Sequence, residues 1–454
     1  MCNLSQKRWL PLVILALLLE PSVPRALADP VSFRKEIAPL LRSHCLPCHS
    51  QRKAAGGYRV DSYAQSLRAG DSGSNGFQAA NLDDSEAFRR MVSTDPDERM
   101  PQNRDALALP QLEQVRRWIQ EGVPYDGDDP DANLVAIIPP ATYFAAPESY
   151  RFAVPITAMV FSPDGHELVV GGYHELTGCD VATQKLVRRI PNLGQRTYGL
   201  AQSPVTGLLA VGGGEPGVLG EIRMVDFADG TILQALGATT DVVTDVAWRP
   251  DGKPLAVAAA DNTLRIFGLA EGKLIHTLTS HSDWVMAIAW SDDGKQLATA
   301  SRDKSVKVFD AESGKLRITY SGHDQPVYSV AFHPSGQEVY SGGDDNKLHR
   351  WKIADGKRLA DIAFGGTVTE VLAVDPFLFA ASADKSVRQF PRDNLKPLRT
   401  FDGHHDEVLS SAYHAASKQL ATGGIDGEVI VWNADNGSQL GRFHAAPGYV
   451  ADGK

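Results

Sequence analysis

The chain has 454 residues, enough for two or more domains. Hydrophobic residues make up 43% and charged residues 22%, both ordinary for globular protein. The formal net charge of -10 argues against a nucleic-acid binder held by phosphate contacts, which would show a basic face.

Residues 1–28 read as a separate object. Lys7 and Arg8 precede an apolar run from Trp9 to Leu19, and Ala26-Leu27-Ala28 follows. This is the layout of a secretory signal peptide, with cleavage expected before Asp29. The run is shorter than the roughly 20 residues a bilayer span needs; the rival reading is an uncleaved anchor. No second long apolar run appears, so the mature chain is expected to be soluble and exported, to the periplasm or another extracytoplasmic compartment of a bacterium. Cleavage would remove Cys2 and leave Cys45, Cys48 and Cys179, too few for a disulfide framework.

Residues 29–126 read as a small all-α domain. Ser32 is placed to cap a helix running to about His44, with Phe33, Ile37, Leu40 and Leu41 on its apolar face. "SHCLPCHS", residues 43–50, stands at its end. A short helix is expected around "DSEAFRRMV", with Phe88, Met91 and Val92 on one face. "LPQLEQVRRWIQEG" predicts a last helix: Pro110 suits its first turn, Leu112, Val115, Trp118 and Ile119 line one side, and Gly122 stops it.

Cys45-Leu46-Pro47-Cys48-His49 has the C-x-x-C-H spacing of c-type haem attachment. Each thiol adds to one vinyl group of the porphyrin, and the two vinyls lie along one edge of the macrocycle. One helical turn presents both sulfurs along that edge and places His49 under the iron as an axial ligand. Three rivals compete. A thioredoxin-like dithiol expects the cysteines after a strand, yet a helix precedes them here. Zinc held by His44, Cys45, Cys48 and His49 would need sequence neighbours to wrap one tetrahedral ion. A disulfide would leave His49 without a role. One covalent haem c is therefore expected, with His44 read as the end of a helix.

A six-coordinate haem needs a second ligand, and Met is the common partner of His in electron carriers. Met91 falls on the apolar face of its helix and reads as core. Met100 sits in "PDERMPQNRD", an irregular loop backed by Pro101 and suited to lie over a haem face. Met100 is the expected sixth ligand. An open iron with Met100 exposed would instead favour ligand binding.

"VSFRKEIAPLLRSHCLPCH", "GGYRVDSY", "DERMPQ" and "VRRWIQEGVPYDG" together resemble the planctomycete-type cytochrome c domains over residues 31–127. Gln102 departs from the pattern, which commonly has a second proline there. The resemblance implies a haem protein joined to another extracytoplasmic module, propellers among them.

Residues 127–150 shift to Asp, Pro and Ala without periodicity and read as a linker. From 151 to 446 short strands and turns recur, ahead of a tail at 447–454. "RPDG" at 249, "SDDG" at 291 and "HPSG" at 333 are spaced 42 apart, after "SPDG" at 162. Phe267, Phe309, Trp351, Phe390 and Trp432 recur late in successive units, each six residues after an aspartate: Asp261, Asp303, Asp345, Asp384 and Asp426. His281, His323 and His404 stand 28 residues before three of these aromatics.

These anchors resemble the WD-repeat β-propellers, whose repeats of about 40 residues build four-stranded blades. The resemblance implies polar networks of His323, Ser341, Asp345 and Trp351, and of His404, Thr422, Asp426 and Trp432. A third, His281, Thr299 and Asp303, loses its last donor because Phe309 replaces the Trp. Val225 and Cys179 align at the same site in two earlier units, giving seven blades starting near 155, 197, 242, 284, 326, 367 and 407. Cys179 then reads as a small apolar residue in a third strand. The ring could close through "SQLGRFHAA" or through a strand from before 155.

The expected fold is thus a small all-α cytochrome domain followed by an all-β seven-bladed propeller. The expected function is single-electron transfer by an exported c-type cytochrome, with the propeller as platform for a redox partner or another protein. Net acidity favours a basic partner. The alternatives are a redox enzyme with its active site in the propeller channel and the haem as relay, or a non-catalytic haem scaffold. The blades carry no phosphate-cradling glycine loop and no nucleophile signature, so no catalytic residue is assigned. "HHDE" at 404–407 has ligand-type residues, but His404 is assigned to the blade network.

Overall fold

The computed structural model describes residues 29–50, 53–102, 105–139, 142–268 and 273–450. The expected leader at 1–28 lies outside the described residues. Ser32 caps as expected, its Oγ accepting from the Lys35 N–H at 3.0 Å. The chain then makes a π-helical turn, Phe33–Ile37, before the α-helix Ala38–His44. Pro39 lies in the first turn of that α-helix and has no N–H to offer.

The final helix of the segment, Leu109–Gln120, buries Val115, Trp118 and Ile119 completely, as their spacing requires. Gly122 follows with φ of 93°, a left-handed conformation that stops the helix at little cost. Phe33 packs against Tyr63, Trp118 and Tyr125 with ring centroids 5.0, 5.5 and 5.7 Å away. Trp118 donates its Nε1–H to the Pro124 carbonyl at 2.9 Å, so the largest core side chain leaves no polar atom unpaired.

Two expectations need correction. In helix Glu86–Val92, Phe88 and Met91 are buried but Val92 is exposed, because it lies a further 100° round the helix from Met91. The all-α expectation also holds only in part. Besides the helices named above there are only Ala55–Gly57, Tyr63–Ser66 and Leu134–Ile137 among the described residues, and irregular chain and isolated bridges fill the rest. The Gly- and Ser-rich composition there gives turns instead of helices.

The stretch after 126 has structure of its own. Leu134 is buried in the N-terminal core, and its N–H donates to the Asp61 carbonyl at 2.8 Å. Farther on, Tyr143 donates its Oη–H to Glu221 at 2.9 Å and Tyr150 donates to Glu175 at 2.6 Å. Both carboxylates belong to the propeller.

The propeller has seven four-stranded antiparallel sheets, covering 159–191, 196–239, 243–278, 285–320, 327–363, 368–402 and 408–444. Strands follow one another in chain order within every blade. The last blade is completed by its own strand Gln439–His444, the first of the two closures considered. The seam with the first blade closes through side chains: Ile156, Met159, Phe161 and Leu168 pack on Ala412, Ala421, Val429 and Val431.

The recurring aspartate shares a job in all five units. An oxygen of Asp261, Asp303, Asp345, Asp384 and Asp426 accepts the N–H two residues on, at 3.0–3.2 Å. The residue between takes positive φ each time: Asn262, Lys304, Asn346, Lys385 and Gly427. The aspartate thus makes the tight turn into the third strand, where the aromatic is buried. Cys179 is likewise buried in a third strand, Glu175–Asp180.

The polar networks differ among blades. His323 meets Asp345 and Ser341 at 2.8 Å each, and Trp351 donates to Ser341 at 3.3 Å. His281 meets Asp303 at 2.8 Å and Thr299 at 2.7 Å, and Phe309 ends that chain without a donor, as expected. In the last blade His404 and Trp432 both reach Thr422, at 2.7 and 2.9 Å, but the expected His404–Asp426 bond is not made: His404 Nδ1 has no hydrogen-bond partner.

Candidate functional site

Helix Ala38–His44 runs straight into the cysteine motif. The Cys45 N–H donates to Leu41 at 2.9 Å, and the Cys48 and His49 N–H groups donate to the Cys45 carbonyl at 3.1 and 2.9 Å. The motif therefore winds as one further helical turn. The chain after it folds back: Ala55 N–H bonds the Cys48 carbonyl at 3.1 Å, and Val60 N–H bonds the His49 carbonyl at 2.8 Å. His44 ends the helix as expected, with its Nε2 3.4 Å from Gln111 Nε2.

Cys45 and Cys48 are both free thiols, one half-buried and one exposed. Burial, then the neighbouring Cys48, pushes the Cys45 thiol up to about 12. The motif follows the helix Ala38–His44 and not a strand, which is not the setting the thioredoxin-like reading expects.

The His49 ring is half-buried, and burial lowers its pKa from the ordinary value. The carbonyls of Tyr58 and Ala55 oppose that shift, while Arg90 and Lys53 add to it. The ring is thus held toward its neutral form. Its Nδ1 lies 3.3 Å from the Tyr58 carbonyl. With the proton assigned to Nδ1 and donated there, the lone pair stays on Nε2, the tautomer a metal-binding imidazole uses.

A cavity of about 710 Å³ opens beside this turn. Cys45, Cys48, His49, Met91 and Met100 all line it, with Leu41, Val60, Phe77 and Leu107 as apolar wall. The volume falls within the range of small-molecule and cofactor sites, roughly 300–1,000 Å³. Met91 belongs to the buried core as well. The Met100 loop is tied down at both sides: the Met100 N–H donates to the Arg90 carbonyl at 2.9 Å, and Gln102 Nε2 donates to the Asp97 carbonyl at 3.1 Å. Gln102, the departure from the family pattern, thus pins the loop. Two thiols, a neutral imidazole and a thioether around one apolar cavity are the donor set a c-type haem would need.

Tyr58 and Arg90 are parts of this site that the sequence reading missed. Tyr58 supplies the carbonyl facing His49 and donates its Oη–H to the Ser66 carbonyl at 2.7 Å. Gly76 makes room for that side chain, since a Cβ there would sit 2.2 Å from Tyr58 Oη. Arg42, three residues before Cys45, faces Glu221 of the second blade and Tyr143, and burial lowers its pKa.

Known proteins match in pieces. The family model described as Planctomycete cytochrome C matches residues 45–103, which hold the motif and Met100. The WD domain, G-beta repeat, matches four times, at 230–268, 272–310, 314–352 and 395–433. Each match starts by the outer strand of one blade and ends with the third strand of the next, so a sequence repeat bridges two blades. The chain is 35% identical over 99 residues to apoptotic protease-activating factor 1 of Homo sapiens, and 32% identical over 96 residues to target of rapamycin complex subunit wat1 of Schizosaccharomyces pombe. These matches cover 21% and 20% of this chain but only 8% and 30% of those proteins. Among the described residues no helix is long and apolar enough to cross a membrane. By motif, repeat and blade count, the chain joins a planctomycete-type cytochrome c domain to a seven-bladed WD-repeat β-propeller.

Proposed function

We propose that this protein is an exported c-type cytochrome that carries single electrons, with its propeller as a docking platform for protein partners. The observation that carries the proposal is the shared cavity: Cys45, Cys48, His49 and Met100 line one space of about 710 Å³. Cys45 and Cys48 would hold the haem covalently, and His49 and Met100 would be its axial ligands. A haem held there would supply one-electron redox chemistry. The chain's own residues do the rest. The Tyr58 carbonyl orients the imidazole, the Arg90 carbonyl fixes the Met100 loop, and Leu41, Val60, Phe77 and Leu107 give the cavity an apolar wall. Residues 1–28 would direct export to the compartment where haem is attached. The acidic net charge of -10 favours a basic partner, through steering that weakens with salt.

The test is haem staining on a denaturing gel, after expression in a host that matures c-type cytochromes. Wild type should stain and Cys48→Ser should not retain haem through two thioethers. An unstained wild type would overturn the reading. Met100→Ala should lower the midpoint potential and alter the visible spectrum; an unchanged spectrum and potential would remove Met100 as a ligand.

A further inference from the structure

The broken network in the last blade leaves two buried polar atoms facing each other. His404 is 7% exposed and Glu428 4%, yet His404 Nδ1 and Glu428 Oε2 have no hydrogen-bond partner. They lie 3.6 Å apart, too far for a hydrogen bond. His405 Nδ1 is also 3.6 Å from the same Glu428 oxygen. Donor atoms of His405, Asp426 and Glu428 all lie within 4.8 Å of one another. In the equivalent place of two other blades the histidine closes on its aspartate at 2.8 Å, so this opening is particular to blade seven.

The spacing has a chemical meaning. Metal–ligand bonds of about 2.0–2.2 Å in a tetrahedron put neighbouring donors roughly 3.3–3.6 Å apart. An imidazole with two carboxylates forms a mixed nitrogen and oxygen set of the kind zinc-class ions take. A Cβ built on Gly424 would lie 2.5 Å from Asp426 Oδ1 and 3.3 Å from His404 Nδ1, so glycine at 424 lets these side chains come close to the backbone. We infer that this corner of blade seven binds a divalent ion of the zinc class through His405, Asp426 and Glu428.

Two cations stand nearby. Arg442 Nη1 lies 3.1 Å from Glu428 Oε1 and 3.3 Å from His405 Nδ1, and Lys385 donates to the His405 carbonyl at 2.8 Å. Arg442 engages the other oxygen of Glu428, which leaves Oε2 for the ion. The His405 side chain is 75% exposed, so its ring is free to turn from the arginine to a metal. The corner lies on the ring seam, because the Ile156 N–H, entering blade one, donates to the Gly424 carbonyl at 3.1 Å. A bound ion would therefore fasten the last blade where the circle closes.

The experiment uses the full, haem-loaded chain, stripped with a chelator and equilibrated against Zn²⁺, with bound zinc counted by elemental analysis. Wild type should take one zinc per chain at micromolar concentration. His405→Ala and Glu428→Gln should each weaken uptake at least about tenfold with haem content unchanged. Zinc should also raise the propeller's unfolding midpoint in wild type and not in Glu428→Gln. No uptake by wild type at sub-millimolar zinc would overturn the inference, with Arg442 then the sole counter-cation of Glu428. Uptake undiminished in both variants would overturn it too. If Glu428→Gln fails to fold, His405→Ala decides, since that side chain is exposed.

Discussion

Between residues 31 and 138 one apolar cluster gathers around Trp118 and leaves a cavity of about 710 Å³ at its edge. Between 156 and 446 seven clusters lie one to each blade interface, filled by the blades' own side chains. In the first region burial is organised around a space that the chain does not fill. In the second, each interface repeats its neighbour's solution, and damage to one should stay local. The N-terminal segment should accordingly gain stability from haem, whereas the propeller should not.

The largest change expected to sharpen this contrast is Trp118→Ala. Removing the central side chain should cost about 3–5 kcal/mol and abolish haem incorporation. The propeller should still unfold at its own midpoint, read from β-sheet circular dichroism. One shared transition shifted by the full amount would break the comparison.

His323→Ala comes next. It leaves Asp345 and Ser341 without their buried partner and should cost about 2–4 kcal/mol in denaturant unfolding of the propeller. Haem content should not change.

A pH effect of somewhat smaller size should belong to the propeller. His349 is buried, stacked 4.0 Å from His323, with its Nδ1 3.0 Å from Tyr320 Oη. Burial, then His323, lowers its pKa to about 4, against the opposing pull of Asp345. The folded ring is neutral where the unfolded ring is already protonated. Stability present at neutral pH should therefore fall as pH drops from about 6.5 to 4, by on the order of 2–3 kcal/mol. Denaturant titrations across that window should show the slope, and His349→Phe should reduce it, the remainder coming from His404, which burial likewise lowers to about 4.

The smallest effect concerns the repeated turn. Lys304 holds a φ of 67°, which costs an L-residue about 1–2 kcal/mol. Lys304→Gly removes that cost but adds chain entropy, so a net gain of about 0.5 kcal/mol is expected. A loss of stability in thermal unfolding would show that the lysine side chain is needed at that turn.

The blades were legible because their turns are dictated locally. An aspartate two or three residues before a third strand, followed by a residue tolerant of positive φ, needs no tertiary information to be recognised. The cysteine motif was legible for a similar reason, since its five residues wind in a single turn. Other features depend on distances between segments far apart in sequence. His404 looked equivalent to His323, and only the folded blade shows that its Nδ1 falls short of Asp426. Tyr58 and Arg90 reach His49 from separate segments. Leu134 was hidden in an Asp- and Pro-rich stretch, although its apolar neighbours mark a place where the chain returns to the core.

The offset between sequence repeat and blade sets where this ring can be cut. Each matched repeat ends on a third strand and leaves that blade's fourth strand outside the match. A truncation at a repeat boundary, such as 310, would strip a blade of its outer edge and expose unpaired backbone, a template for aggregation. A truncation between blades, near 322, would keep every sheet whole and sacrifice only side-chain packing. Duplication or loss of one repeat exchanges an edge strand with each neighbour, so the ring behaves as a chain of interlocked links.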